Sequence, residues 1–113
     1  MLVVYSNKLL KKWQAGCRVF CNIVVTRPDH RENKGLHVHE REHCKQWKKR
    51  PFSHDLRYWL SKKYRLACAA IAYKKQAACS GNIKGAAESL SQYYRLGISA
   101  EEAEKEILQA KTV

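Results

Sequence analysis

The spacing of hydrophobic and polar residues changes near position 35 of this 113-residue chain. Before it, LVVY at 2–5 and CRVFCNIVV at 17–25 are rich in β-branched residues and predict strands. NKLLKKWQ between them has helical spacing, so residues 2–14 read as a short strand or a helix. The polar stretch RPDHRENKG then predicts a loop closed by Gly35.

After position 35, apolar residues recur every three or four positions, which predicts helices. The first helix covers residues 36–49 and is stopped by Pro51. Ser53 is a candidate N-cap for a second helix, and an alanine-rich third helix runs to Cys79. A fourth helix is predicted over residues 83–96. Ser99 and Glu102 then form a capping box for a last helix.

These elements predict one α+β domain over residues 1–113. Residues 1–35 supply a small sheet of two or three strands and a loop. Residues 36–50 form the helix described below, and residues 53–113 form a helical remainder of about three further helices. No apolar run reaches the roughly 18–20 residues of a transmembrane segment.

The chain carries a formal net charge of +12, and the basic residues are concentrated. From Arg41 to Lys75 there are eleven Lys or Arg against two acids, Glu42 and Asp55. Such a surface favours an anionic partner, either nucleic acid or an acidic protein surface. A solvated basic face without a specific partner fits equally well, because no nucleic-acid-binding motif is present.

Neither the cysteines nor the N-terminus predicts export. Five cysteines are an odd number, which argues against a disulfide framework. In the opening MLVVYSNKLLKKW the basic residues follow the apolar ones, the reverse of a secretory signal. The expected location is therefore the cytoplasm.

The chemistry-bearing motif is H-E-x-x-H, in the stretch LHVHEREHC. His39 and His43 are four residues apart, so on a helix their imidazoles project from the same side and suit two corners of a zinc site. Glu40 then lies beside the metal, where it can move a proton. A charged surface helix with two histidines by chance, or a former metal site kept as scaffold, remains open.

HEREHCKQW, followed by YRLACAAIAYKKQ, resembles small zincin-like HExxH proteins of bacteria and phages, the minimal gluzincin-type metallopeptidases. The resemblance implies a zinc cofactor bound by His39 and His43, with Glu40 activating zinc-bound water. It also implies a protein or peptide substrate, and the host cytoplasm or a virion as the location of a phage-encoded member.

The resemblance further implies a third ligand, a glutamate in a pattern like E-x-E-A-Y-x-x-Q on a later helix. Here Ala69 and Ile71 stand at the acidic positions, and no Asp or Glu occurs between Arg57 and Ala87. Three residues of this part of the chain could replace the glutamate as the third ligand: Cys68, Asp55 and His54. Each also has a structural interpretation, as a core thiol for Cys68 and as a helix start for the other two.

The favoured function is a small zinc-dependent hydrolase of the metallopeptidase type. The alternative is a catalytically inactive zincin-like structural or binding protein, such as a phage virion component or host-factor inhibitor, whose basic surface binds an anionic partner. The small size also leaves room for an oligomer or a partner that completes the site.

Overall fold

The computed structural model describes all 113 residues. They form a small β-sheet and five α-helices. The elements are β1 (Leu2–Tyr5), β2 (Gly16–Phe20), β3 (Ile23–Thr26), α1 (Lys34–Lys49), α2 (His54–Leu60), α3 (Lys62–Ser80), α4 (Ile83–Tyr93) and α5 (Ala100–Gln109). A single 3₁₀ turn, Pro28–His30, precedes α1. The predicted α+β class is confirmed, with four helices besides α1 rather than about three.

The sheet has the order β1-β3-β2, so β3 is its central strand. β3 pairs in parallel with β1 and antiparallel with β2, and its residues Val24, Val25 and Thr26 are buried. The prediction of one strand over 17–25 is wrong, because the chain reverses there and forms a hairpin. The turn depends on Cys21, which has φ 51°, a left-handed conformation that few non-glycine residues adopt.

Residues 7–14 do not form the helix that their spacing allowed. They form an irregular loop, and the Arg27 guanidinium at the end of β3 holds it in place. Arg27 Nε donates to the Gln14 carbonyl at 2.7 Å, and Nη2 donates to the Lys11 carbonyl at 2.8 Å. Hydrogen bonds to a residue far along the chain thus override the local helical pattern.

α1 begins at Lys34, slightly before the predicted start, because the Asn33 side chain caps it by accepting from Leu36 N. Gly35 therefore lies inside the helix and not in the preceding loop. A Cβ atom at Gly35 would come within 3.3 Å of Gln76 Cγ, so glycine permits close approach of α1 to α3.

The hydrophobic core lies between α3, α4 and α5. Nine buried residues form it: Ala69, Ala70, Tyr73, Ala86, Ala87, Leu90, Leu96, Ala103 and Ile107. Small alanine side chains on α3 and α4 let these two helices pack closely. None of the helices is both long enough and apolar enough to cross a lipid bilayer.

Two helix ends follow the predicted signals, and two depart from them. Gly81 ends α3 with φ 72°, and Ser99 Oγ accepts from Glu102 N at 3.1 Å, as the capping box predicts. Ser53 precedes α2 but forms no side-chain cap, since its ψ of −12° is outside the extended range that N-caps use. α4 ends at Tyr93 and not at Leu96, because Arg95 has φ 53°.

Replacement of Leu90 by alanine tests the position of the core. Leu90 is 0% exposed, so Leu90→Ala leaves a cavity, and we expect it to lower the free energy of unfolding by about 3 kcal/mol. Urea denaturation measures the change. Leu108→Ala is the matched control, because Leu108 is 60% exposed and its loss should cost well under about 1 kcal/mol. Equal losses for the two variants would contradict this core.

Candidate functional site

The two histidines of the HExxH motif meet in the interior of the molecule. His39 and His43 are both buried on the inner face of α1, and their Nε2 atoms are 3.1 Å apart. Their rings are nearly perpendicular, at 74°, with centroids 4.8 Å apart. The i, i+4 spacing of the motif therefore brings both Nε2 atoms to one point, as the sequence predicts.

A glutamine three residues after His43 orients that imidazole. Gln46 Nε2 donates to the backbone carbonyl of Cys68 at 2.9 Å, so the amide oxygen of Gln46 must face His43. That oxygen lies 3.0 Å from His43 Nδ1, which therefore carries the proton. His43 Nε2 consequently presents a lone pair toward His39, the tautomer that a metal ligand needs.

Both histidines are neutral at physiological pH. Burial lowers the pKa of His43 to about 4, and the Gln46 side chain opposes the shift only in part. Burial and the neighbouring His43 lower the pKa of His39 well below its ordinary value. The neutral imidazole is the form that binds metals, so protons compete little for this pair at pH 7.

Glu40 is buried beside the histidine pair and lines the same cavity. Burial raises the pKa of its carboxyl to about 7, while the Arg18 backbone amide and guanidinium favour the charged form. Arg18 itself donates to the Cys21 carbonyl at 2.7 Å and forms an ion pair with Asp55. A carboxyl in this state can both accept and return a proton near neutral pH.

Three tyrosines surround the pair. The Tyr73 ring packs edge-on against His39, with centroids 4.4 Å apart, and the Tyr58 ring packs against His43 at 6.1 Å. The Tyr94 hydroxyl oxygen lies 3.2 Å from His39 Nε2, so it is the one phenol in hydrogen-bonding contact with the histidine pair. These rings give the polar groups an apolar, low-dielectric surrounding.

Arg65 of α3 holds two of these tyrosines in place through their backbones. Its Nε donates to the Tyr94 carbonyl at 2.8 Å, and its Nη1 donates to the Tyr58 and Trp59 carbonyls at 2.8 and 3.1 Å. Nη2 reaches the Arg95 carbonyl at 3.4 Å. These carbonyls belong to the C-terminal ends of α2 and α4, where helix dipoles favour a positive charge.

The histidines, Glu40 and the tyrosines open into one cavity of about 640 Å³. Its lining includes four cationic side chains, Lys11, Arg18, Arg65 and Arg95, whereas Glu40 is the one carboxylate. Trp13 and Tyr93 also line the cavity, and their rings stack 4.5 Å apart and nearly parallel. The cavity is large enough for a small ligand or part of a peptide, and its charge is predominantly positive.

The three proposed third ligands do not join the histidine pair in a cluster. Cys68 is 0% exposed but does not line the cavity, and burial raises the pKa of its thiol to about 11. The Asp55 side chain is 59% exposed and pairs with Arg18. His54 is buried at the cavity wall, where its Nδ1 lies 2.8 Å from the Tyr64 hydroxyl.

No three His, Cys, Asp or Glu side chains come together anywhere in the molecule in an arrangement suited to a metal ion. Ala69, one of the positions where the resemblance expects an acid, is buried on α3 one turn from Tyr73 and one turn from Arg65, which both line the cavity. An alanine there supplies no donor atom. A metal at this site would need a third ligand of another residue type.

Sequence reasoning missed Arg65, Gln46 and Tyr94 as parts of the site. Gln46 carries a local signal, because the spacing H-x-x-Q puts it one turn after His43. Tyr94 is 55 residues from His39 and Arg65 binds only backbone carbonyls, so neither leaves a short-range pattern. Gln76, at the end of AYKKQ, also lines the cavity, and its side chain acts on the pKa of His39.

The chain matches no protein-family model, no curated protein and no solved structure. The zincin-like resemblance therefore stays a prediction that depends on the motif residues themselves.

Replacement of Arg65 by methionine tests its role at the two helix ends. Arg65→Met keeps a long side chain but leaves four carbonyls without their donors, so we expect a loss of about 3 kcal/mol in the free energy of unfolding. Urea denaturation measures it, with the exposed Arg57→Met on α2 as control. A cost no larger than that of Arg57→Met would contradict the described role.

The raised pKa of Glu40 predicts how stability depends on pH. Between its ordinary value of 4.5 and about 7, the unfolded chain loses the Glu40 proton while the folded chain retains it, so this group lowers stability as pH rises. Glu40→Gln should therefore match the wild type at pH 4 and be more stable by up to about 3 kcal/mol at pH 8.

Urea denaturation of both proteins across this pH range, with a metal chelator present, measures the difference. All other titrating groups are shared, so their contributions cancel. A difference that does not change with pH would contradict the burial of the Glu40 carboxyl.

Proposed function

We propose that this protein is a small zinc-dependent hydrolase of the metallopeptidase type. The observation that carries the proposal is the meeting of His39 Nε2 and His43 Nε2, 3.1 Å apart, in a cavity that also contains the Glu40 carboxyl. Two histidines and a glutamate on one helix turn are the donor set and proton acceptor that metal-assisted hydrolysis uses.

The spacing of the two nitrogens fits a shared zinc ion. Ligand atoms about 2.0–2.1 Å from a tetrahedral zinc lie about 3.4 Å from one another. The Nε2 atoms need to move apart by only a few tenths of an ångström from their 3.1 Å separation. A zinc ion bound there would supply a Lewis acid and would lower the pKa of a water molecule.

The chain's own residues would then position and protect the reaction. Gln46 keeps the proton of His43 on Nδ1, away from the cavity. Glu40, next to His39 in sequence and buried in the same cavity, would accept a proton from water and return it to the leaving amine. The rings of Tyr58 and Tyr73 would exclude bulk water from the pair.

A second candidate is a catalytically inactive binding protein on the same scaffold. It is favoured because no third His, Cys, Asp or Glu side chain joins the two histidines in an arrangement that could hold a metal ion. The cavity would in that case bind an anionic group, because its lining has four cationic side chains and one carboxylate. Nucleic acid and an acidic protein surface are the two partner classes that the basic composition suggests.

Metal content and activity of one protein preparation separate the two candidates. Protein purified without a histidine tag and dialysed against zinc should contain close to one zinc per chain and cleave unstructured peptides. Glu40→Gln should keep the zinc and lose at least about 100-fold in kcat, the size typical of a general base. Glu88→Gln, an exposed glutamate on α4, is the control and should keep full activity.

Either of two results would rule out the hydrolase. The first is wild-type protein without zinc under these conditions, and the second is zinc-loaded protein whose activity is the same with Glu40→Gln.

A further inference from the structure

Tyr94 places its hydroxyl group at the point where the two histidines meet. It directly follows α4, and its hydroxyl oxygen lies 3.2 Å from His39 Nε2, the atom that is 3.1 Å from His43 Nε2. We infer that Tyr94 is the third protein ligand of a divalent metal site formed with His39 and His43. The inference rests on the proposed function only in requiring a metal at the histidine pair.

The distances are those of neighbouring ligands around one ion. Nitrogen and oxygen ligands about 2.0–2.2 Å from a tetrahedral metal lie roughly 3.3–3.5 Å from each other. His39 Nε2 is within a few tenths of an ångström of that separation from both His43 Nε2 and the Tyr94 oxygen. An ion can therefore enter with small side-chain rotations.

Tyrosine also supplies the charge that the missing acid would have supplied. Between Arg57 and Ala87 the chain has no Asp or Glu, and a metal-binding imidazole is neutral, so the two histidines would contribute no negative charge. Without an ion Tyr94 is a neutral phenol, because burial raises the pKa of its hydroxyl well above the ordinary value. A bound cation would displace that proton to solvent, and the resulting tyrosinate would contribute one negative charge, as a glutamate ligand would. Together with the Glu40 carboxylate it would balance a divalent cation in a buried site, where uncompensated charge is costly.

The phenol of Tyr94 is held in position from two sides. Arg65 Nε binds its backbone carbonyl at 2.8 Å, and the Tyr73 ring packs perpendicular to its ring, with centroids 5.7 Å apart. A ligand fixed in advance loses little conformational entropy when the ion binds. The same Arg65 cation brings the C-terminal end of α4 to the cavity, so the fold delivers Tyr94 to this place.

The other tyrosines at the cavity are less suited. Tyr73 presents its ring, and not its hydroxyl, to His39. The Tyr58 ring is 6.1 Å from that of His43, and its hydroxyl forms no hydrogen bond to either histidine. Tyr93 turns its ring to Trp13 instead.

Metal binding by three variants tests the assignment. Zinc affinity is measured by competition with a chromophoric chelator, and copper(II) alone serves as a spectroscopic probe because a copper-bound tyrosinate gives a visible charge-transfer band. The wild type should show the band. Tyr94→Phe should lose it and bind zinc more than about 100-fold less tightly, beyond the 10–100-fold typical of outer-sphere partners.

Tyr5→Phe is the matched control, because Tyr5 lies on β1 and does not line the cavity, and it should keep both the band and the affinity. Tyr94→His should also lose the band and the tight zinc binding, because an imidazole ends short of the point that the phenol oxygen reaches beside His39. Circular dichroism and thermal melting of each chelator-treated variant establish that it folds, and Tyr94→His gives a second reading where Tyr94→Phe does not fold.

The outcomes separate this inference from the proposed function. If Tyr94→Phe keeps zinc-dependent hydrolysis with unchanged affinity and spectrum, Tyr94 is not a metal ligand, and the proposal of a hydrolase still stands. If the copper band and the zinc affinity depend on Tyr94 but the protein has no hydrolytic activity, Tyr94 is supported as a metal ligand and the proposal of a hydrolase is overturned. Failure of the wild type to bind either metal at its histidine pair would overturn both.

Discussion

The arrangement of the cavity depends on one buried cation. Arg65 is 6% exposed and has no carboxylate partner, a situation that costs several kcal/mol unless hydrogen bonds satisfy the guanidinium. Four backbone carbonyls satisfy it, and they come from the C-terminal ends of α2 and α4. The Arg65 side chain thereby links the ends of α2 and α4 to α3. It also brings the segments that contain Tyr58 and Tyr94 close to the histidines of α1.

α3 separates the stabilising part of the molecule from the polar part. Its alanines pack on α4 and α5 in the hydrophobic cluster, while Arg65, Tyr73 and Gln76 line the cavity shared with α1. Burial of apolar area in the cluster offsets the cost of burying histidines and Glu40. The stability of the fold therefore depends mainly on the hydrophobic cluster, and the polar residues of the cavity are not needed for packing.

The sequence predicted the parts of the site that arise from local spacing and missed those that arise from tertiary contacts. The α1 helix, the common face of His39, Glu40 and His43, and the Ser99 cap all follow from residues within one or two turns. The hairpin was missed because Cys21 is not a residue type that signals a positive φ. Tyr94 was missed because the end of α4 and the position of Arg65 are visible only after the helices pack.

The cationic lining of the cavity has a kinetic consequence. Lys11 and Arg95 are exposed at a concave surface, with Arg18 and Arg65 behind them. Low-dielectric walls focus the field of such charges outward, so diffusing anions are steered to the opening and cations are turned away. Ionic strength screens this field over about 8–10 Å. If the cavity binds a charged ligand, the rate at which that ligand arrives would therefore depend on the sign of its charge, before any contact with the histidines is made.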